Sequence, residues 1–159
     1  MRALLALALL FGLVATAEAD ISKKVQAAFK GKILITATPL ADSMGDDKET
    51  IAAYNKAVLK EVKGEPGEED ARSWSFHFTA FLTRPAGKTE LSLDFYNANK
   101  EYVANKRLTG IDGSMSVLNG EISFDENDNV NPNTTYTIKL AGEVKGREVV
   151  FATAILTTK

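Results

Sequence analysis

The chain has 159 residues with 19 Lys and Arg, 21 Asp and Glu, one His and no Cys, for a formal charge of −2. That length fits one domain, and so balanced a charge argues against a nucleic-acid partner, which needs a basic surface to displace counterions from phosphates. Without Cys there are no disulfides, no thiol catalysis and no thiolate zinc site, and a single His leaves no multi-histidine metal centre.

Residues 1–19 read as an address. Arg2 precedes a run from 3 to 15 that is apolar except for Gly12, and Ala17-Glu18-Ala19 places small residues before a cut at Asp20. A positive start, a short apolar core and an A-x-A end make a secretory signal peptide. As a helix that run reaches roughly 20 Å against a bilayer core of about 30 Å, which disfavours an anchor. Cleavage removes Arg2 and Glu18 and leaves the net charge unchanged. The expected product is one secreted or periplasmic domain, 20–159, with no membrane span, held together by its core alone.

Along that domain, 20–30 places Ile21, Val25, Ala28 and Phe29 at helical spacing before Gly31, as a short helix or an entry strand. Residues 32–40, dense in Ile, Leu and Thr, read as a strand ending at Pro39, which has no ladder donor. Asp46 and Glu49 form a capping-box pair, and Ile51, Tyr54, Val58, Leu59 and Val62 recur at 3.6-residue spacing, so a helix is expected over 46–63 with Gly64 closing it. An acidic connector follows at 65–70.

From Ser73 the period changes to two. Trp74, Phe76, Phe78, Ala80 and Leu82 alternate with Ser75, His77 and Thr79. After the turn residues 84–87, Leu91, Leu93 and Phe95 alternate with Ser92, Asp94 and Tyr96, suggesting a hairpin with the preceding strand. Residues 102–111 give a weaker strand. Asp112-Gly113 and Asn119-Gly120 are hairpin dipeptides, the second joining 114–118 to 121–124. A last hairpin joins 136–144 to 148–157 through Lys145-Gly146-Arg147, and its second strand, apolar on both faces, reads as central. The expected architecture is mainly β: an antiparallel β-sandwich of about eight strands with one inserted α-helix. A closed barrel, or an open sheet with the helix on one face, fits the same pattern.

Three groups of residues invite a chemical reading. The stretch 125–133 is rich in side-chain oxygens suited to a hard cation, with Asp125, Asn127, Asp128 and Asn129 as candidate Ca²⁺ ligands. Its first five residues, Asp125-Glu126-Asn127-Asp128-Asn129, resemble the Asp-x-Asn-Asp-Asn linker motif of cadherin repeats, and the resemblance implies Ca²⁺ ligation. It covers those five residues only, without the family's partner acidic motifs. An EF-hand is excluded by Val130 and Tyr136 at the sixth and twelfth positions. The alternative is that Asp and Asn are turn residues bonding their own backbone.

His77 is the residue type suited to general acid–base work, with Asp94 as a conceivable orienter, but no G-x-S-x-G elbow accompanies it. Among the aromatics, Trp74, Phe76 and Phe78 share a core face, whereas Phe81 and Tyr96 fall on the opposite one. Asn133-Thr134-Thr135 matches a glycosylation acceptor. The sequence therefore suggests an exported, non-catalytic module for a protein or glycan partner, bound through loops or a sheet face, with Ca²⁺ as a possible stabilising ion. The alternative is a small secreted hydrolase using His77.

Overall fold

A computed structural model describes residues 21–67 and 71–159. The expected leader, 1–19, and part of the acidic connector lie outside them. The elements run α1 (Lys23–Phe29), β1 (Ile33–Thr36), α2 (Asp47–Ala57), β2 (Glu61–Val62), β3 (Glu65–Pro66), β4 (Arg72–Phe81), β5 (Leu91–Tyr96), β6 (Tyr102–Leu108), β7 (Val117–Asp125), β8 (Thr135–Val144) and β9 (Arg147–Thr158). They form two stacked sheets. In one, β4 pairs along its length with β7 and on its other edge with β1 and β3. The other is five-stranded, in the order β2-β9-β8-β5-β6. The β-rich, sandwich-like arrangement read from the alternating strands is what forms, with two α-helices among the described residues rather than one.

The apolar halves of the strands meet between the sheets. Trp74, Phe76 and Phe78 from β4 face Leu91, Leu93 and Phe95 from β5 and Tyr136, Ile138 and Leu140 from β8, all buried. Phe124 of β7 ties the layers together, its ring 4.1 Å from Phe95 and 6.3 Å from Phe76 between centroids, within the range where aromatic pairs attract. A second, smaller core lies on the outer face of the first sheet. Both helices pack there, bringing Val25, Phe29 and Tyr54 onto Leu34, Phe81 and Val117. The Tyr54 hydroxyl donates to the Ala41 carbonyl at 2.6 Å, so the buried ring keeps its polar tip satisfied.

Four expectations are corrected. The helix expected over 46–63 starts at its capping box, in which Asp46 and Glu49 each accept the other's backbone N–H, but ends at Ala57. Val58 turns extended, and Leu59 N–H donates to the Ile35 carbonyl, so strand contacts claim the last apolar positions of the stripe. Gly64 closes no helix; a Cβ there would fall 2.9 Å from the Trp74 indole nitrogen and closer still to the Arg72 side chain. The strands 73–82 and 91–96 form no hairpin, because 82–90 crosses from one sheet to the other. Asn119-Gly120 makes no turn either: both sit in mid-β7, opposite Thr79 and Phe78, where nine cross-strand pairs with β4 override the local preference.

The β8–β9 hairpin forms as expected, with Lys145 and Gly146 both at positive φ (53° and 76°), the backbone a two-residue turn demands. The doubly apolar β9 is less enclosed than expected. Beyond β8, among the described residues, its other edge meets the Lys32–Thr153 bridge, a bond from Thr83 N–H to the Phe151 carbonyl, and β2 at Thr157 and Thr158. No helix among the described residues is long and apolar enough to cross a membrane.

Candidate binding face

Among the described residues, no helix covers the outer face of the five-stranded sheet. Strand alternation points Ser92, Asp94 and Tyr96 of β5 to this side, because Leu91, Leu93 and Phe95 point inward. Register then assembles rows across the strands. Tyr102, Tyr96, Thr137 and Ile155 make one row; Asn105, Asp94, Lys139 and Thr153 make the next. Tyr96 and Tyr102 meet edge to face with centroids 5.9 Å apart, and the Lys139 ammonium stands 4.0 Å above the Tyr96 ring. Tyr102 is 55% exposed and Ile155 69%, unusual for large apolar side chains.

Asp94 is the unusual polar member. It is only 9% exposed, at the side of a shallow recess of about 210 Å³ that Ser92, Glu143 and Glu148 help to line. Burial raises its carboxyl above the ordinary aspartate range. The Ser92 hydroxyl, which donates to it at 2.7 Å, pulls the other way, Glu148 repels its charge and Lys139 favours it. Tyr96 is likewise raised, by burial first and then by Glu148, Asp94 and Tyr102. Stacking surface, a cation, hydroxyls and a partly desolvated carboxylate thus share one flat face, able to stack against a planar or sugar-like surface and to hydrogen-bond beside it.

The Asx-rich stretch is placed at one end of β7. Asp125 caps a single 3-10 turn, Glu126–Asp128, accepting from Asn127 N–H at 2.8 Å and Asp128 N–H at 3.1 Å. Asp128 accepts in return from Asp125 N–H, and Asn129 closes the turn in the left-handed region at φ 63°. Asp128 also takes the Lys106 ammonium at 3.0 Å, and that ammonium lies 5.2 Å from the Phe124 ring centroid. Lys106, on the edge strand of one sheet, therefore reaches across to the far end of β7 in the other. A Ca²⁺ ion at this turn would have to displace Lys106 and the capping hydrogen bonds. Among the described residues no three or more His, Asp or Glu side chains gather for a metal ion.

His77 lies on the outer face of the first sheet, in register between Thr36 and Glu121, beside a recess of about 210 Å³ edged by Pro39 and Leu40. Asp94 lies on the other sheet and faces away, so the core separates it from His77 and the proposed orientation does not form. The serine beside His77 on that face, Ser75, is hydrogen-bonded to Ser123 across the strands. Of the residues on the open face, the sequence singled out Asp94 only as an orienter for His77 and Tyr96 only as an off-core aromatic. Lys139 and Tyr102 become partners through register, which alternation alone does not carry. No family model, curated protein or solved structure matches the chain.

Proposed function

We propose that the protein is an exported, non-catalytic binding module of the cell envelope or surrounding medium, taking a protein or glycan partner on the open face of its five-stranded sheet. One observation carries the reading: of the two outer sheet faces, the one that no helix covers among the described residues is the one that displays Tyr96, Tyr102 and Lys139 beside the recessed Asp94. Exposed aromatics next to fixed polar groups are the usual anchors of recognition. Export is supported by the leader at 1–19, and the cystine-free composition suits a periplasm.

The test compares the parent with a Tyr96→Ala, Tyr102→Ala double variant for retention on envelope polysaccharide and on immobilised envelope proteins from the source cells. Retention of the parent on one of them, reduced about tenfold or more in the double variant, supports the face. Equal retention of both proteins removes it. The export half is tested separately by sequencing the N-terminus of protein from a periplasmic extract. A start at Asp20 is expected, and an intact leader in a cytosolic fraction contradicts it.

A further inference from the structure

On the opposite edge of β9 from β8, the two sheets part to leave a groove of about 280 Å³. Its floor and walls include Leu34, Val58, Leu59 and the exposed Ile155, with Lys32 and Lys60 at its border and no carboxylate among its lining residues. Among the described residues neither lysine has an ion-pair partner; the Lys32 ammonium stands 5.8 Å from the Phe29 ring centroid.

The backbone at this groove is oriented for pairing. Phe81 N–H donates to the Lys32 carbonyl, so Lys32, Leu34 and Thr36 bond toward β4, and Ile33 and Ile35 turn their N–H and C=O the other way. On β9, Thr153 N–H donates to the Gly31 carbonyl and Thr157 N–H to the Lys60 carbonyl. Ile155, midway between them, presents its peptide groups to the groove and has no ladder partner on that side among the described residues. Those same two bonds close both ends of the groove: the Lys32–Thr153 bridge seals one, and residues 59–60, bonded to Ile35 and Thr157, seal the other. A passing strand cannot thread it. A chain end can enter it.

We propose that this groove captures the C-terminal end of an apolar peptide. Its last residue would pair with the open peptide groups of Ile155, apolar side chains at its end would meet the Leu34–Val58–Leu59 wall, and its free carboxylate would meet Lys32 and Lys60. The lysines select a carboxy-terminus over an amino-terminus, since the lining holds positive charge alone. Ile155 lies at the far end of the Tyr96–Tyr102 row, but neither tyrosine lines the groove, and this site stands or falls without them.

The experiment uses fluorescence anisotropy with an N-terminally labelled hexapeptide, Gly-Ser-Gly-Val-Ile-Val, as free acid and as C-terminal amide. Saturable binding of the acid is expected, with the amide weaker by about tenfold or more. The Lys32→Glu, Lys60→Glu double variant should bind the acid at least about tenfold more weakly, while Lys32→Arg, Lys60→Arg stays near the parent. Both pairs are surface changes, and matching thermal melts keep the comparison clean. The Tyr96→Ala, Tyr102→Ala protein should bind the peptide as the parent does. Equal binding of acid and amide, no saturable binding up to about 1 mM, or loss of binding in the tyrosine variant overturns the proposal. Displacement of the peptide by decanoate at equal or lower concentration also overturns it, assigning the groove to acyl-chain carboxylates.

Discussion

The two sheets use the same alternation for opposite ends. In β4 the outward positions run Ser75, His77, Thr79 and then Phe81, and at Phe81 the helices arrive, sealing it with Phe29 and Tyr54 at centroid distances of 5.3 and 6.4 Å. In β5 the outward positions are Ser92, Asp94 and Tyr96, and no helix among the described residues packs on them. One apolar residue at the end of a polar row is therefore enough to start a second core when Leu34 and Val117 stand beside it. On the other sheet the corresponding row ends in Tyr96, whose hydroxyl tip and stacked Lys139 keep it tolerable in water. The lesson is that a sandwich's two outer faces are told apart by the last residue or two of each row, and that an aromatic left on the uncovered face is a candidate contact.

The sharpest way to break this contrast is to remove one tyrosine from each face. Tyr54 is completely buried, so Tyr54→Ala should cost about 3–5 kcal/mol in urea unfolding. Tyr102→Ala on the open face should stay within about 0.5 kcal/mol. Similar losses for both would show that the open face is structural. Next in size is the clasp between the two crossings from sheet to sheet. Gly87 N–H donates to the Gly113 carbonyl at 2.8 Å, and a Cβ on Gly113 would lie 1.5 Å from the Gly87 carbonyl oxygen. Gly113→Ala should therefore cost more than about 2 kcal/mol, whereas Gly146→Ala, with open space at its Cβ but φ 76°, should cost less, through backbone strain alone. A Gly113→Ala protein as stable as the parent would mean that the crossings separate freely.

Much of this fold was legible because alternation fixes which residues of a strand face inward. Trp74, Phe76 and Phe78 go to the inter-sheet core, and Phe81 to a different surface, as the pattern required. Partners were not legible. Period two is silent on which strand lies alongside, so 73–82 and 91–96 looked like a hairpin although the chain between them changes sheets. Local turn chemistry misled at Asn119-Gly120, where pairing with β4 outweighs a two-residue preference, and held at Lys145-Gly146, where no such competitor exists. The helix overran for a related reason: Leu59 and Val62 fit a helical stripe, but Leu59 bonds to Ile35 of β1 and Val62 pairs with Thr158 on the edge of β9. The open face stayed hidden because Asp94, Tyr96, Tyr102 and Lys139 come from three strands whose order only the fold decides.

A smaller effect tests the turn that fastens the sheets at the β6 edge. Asp125→Ala removes two backbone acceptor bonds at once and should cost about 1 kcal/mol, the usual loss for a capping carboxylate. Because Asp128 already holds Lys106, millimolar Ca²⁺ should leave the parent's melting temperature unchanged. An upward shift that disappears in an Asp125→Ala, Asp128→Ala double variant would instead establish Asp125, Asn127, Asp128 and Asn129 as a Ca²⁺ site that displaces the lysine.

The smallest effect is also the one that separates a residue kept for stability from one kept for contact. Asp94 has a raised carboxyl in the folded protein, so between the unfolded value of about 3.9 and the folded value the native state holds more protons than the unfolded chain. Stability attributable to this group is fully present below the unfolded value and is lost as pH rises through the folded one. Asp94→Asn keeps an acceptor for the Ser92 hydroxyl but cannot ionise, so it should melt close to the parent near pH 4 and above it at pH 7. The variant's gain should thus grow with pH, and a gain that is constant or reversed contradicts the desolvated carboxylate. If the same substitution weakens retention on the partner while raising the melting temperature, the parent holds a destabilising carboxylate on the uncovered face, where recognition and not packing accounts for it.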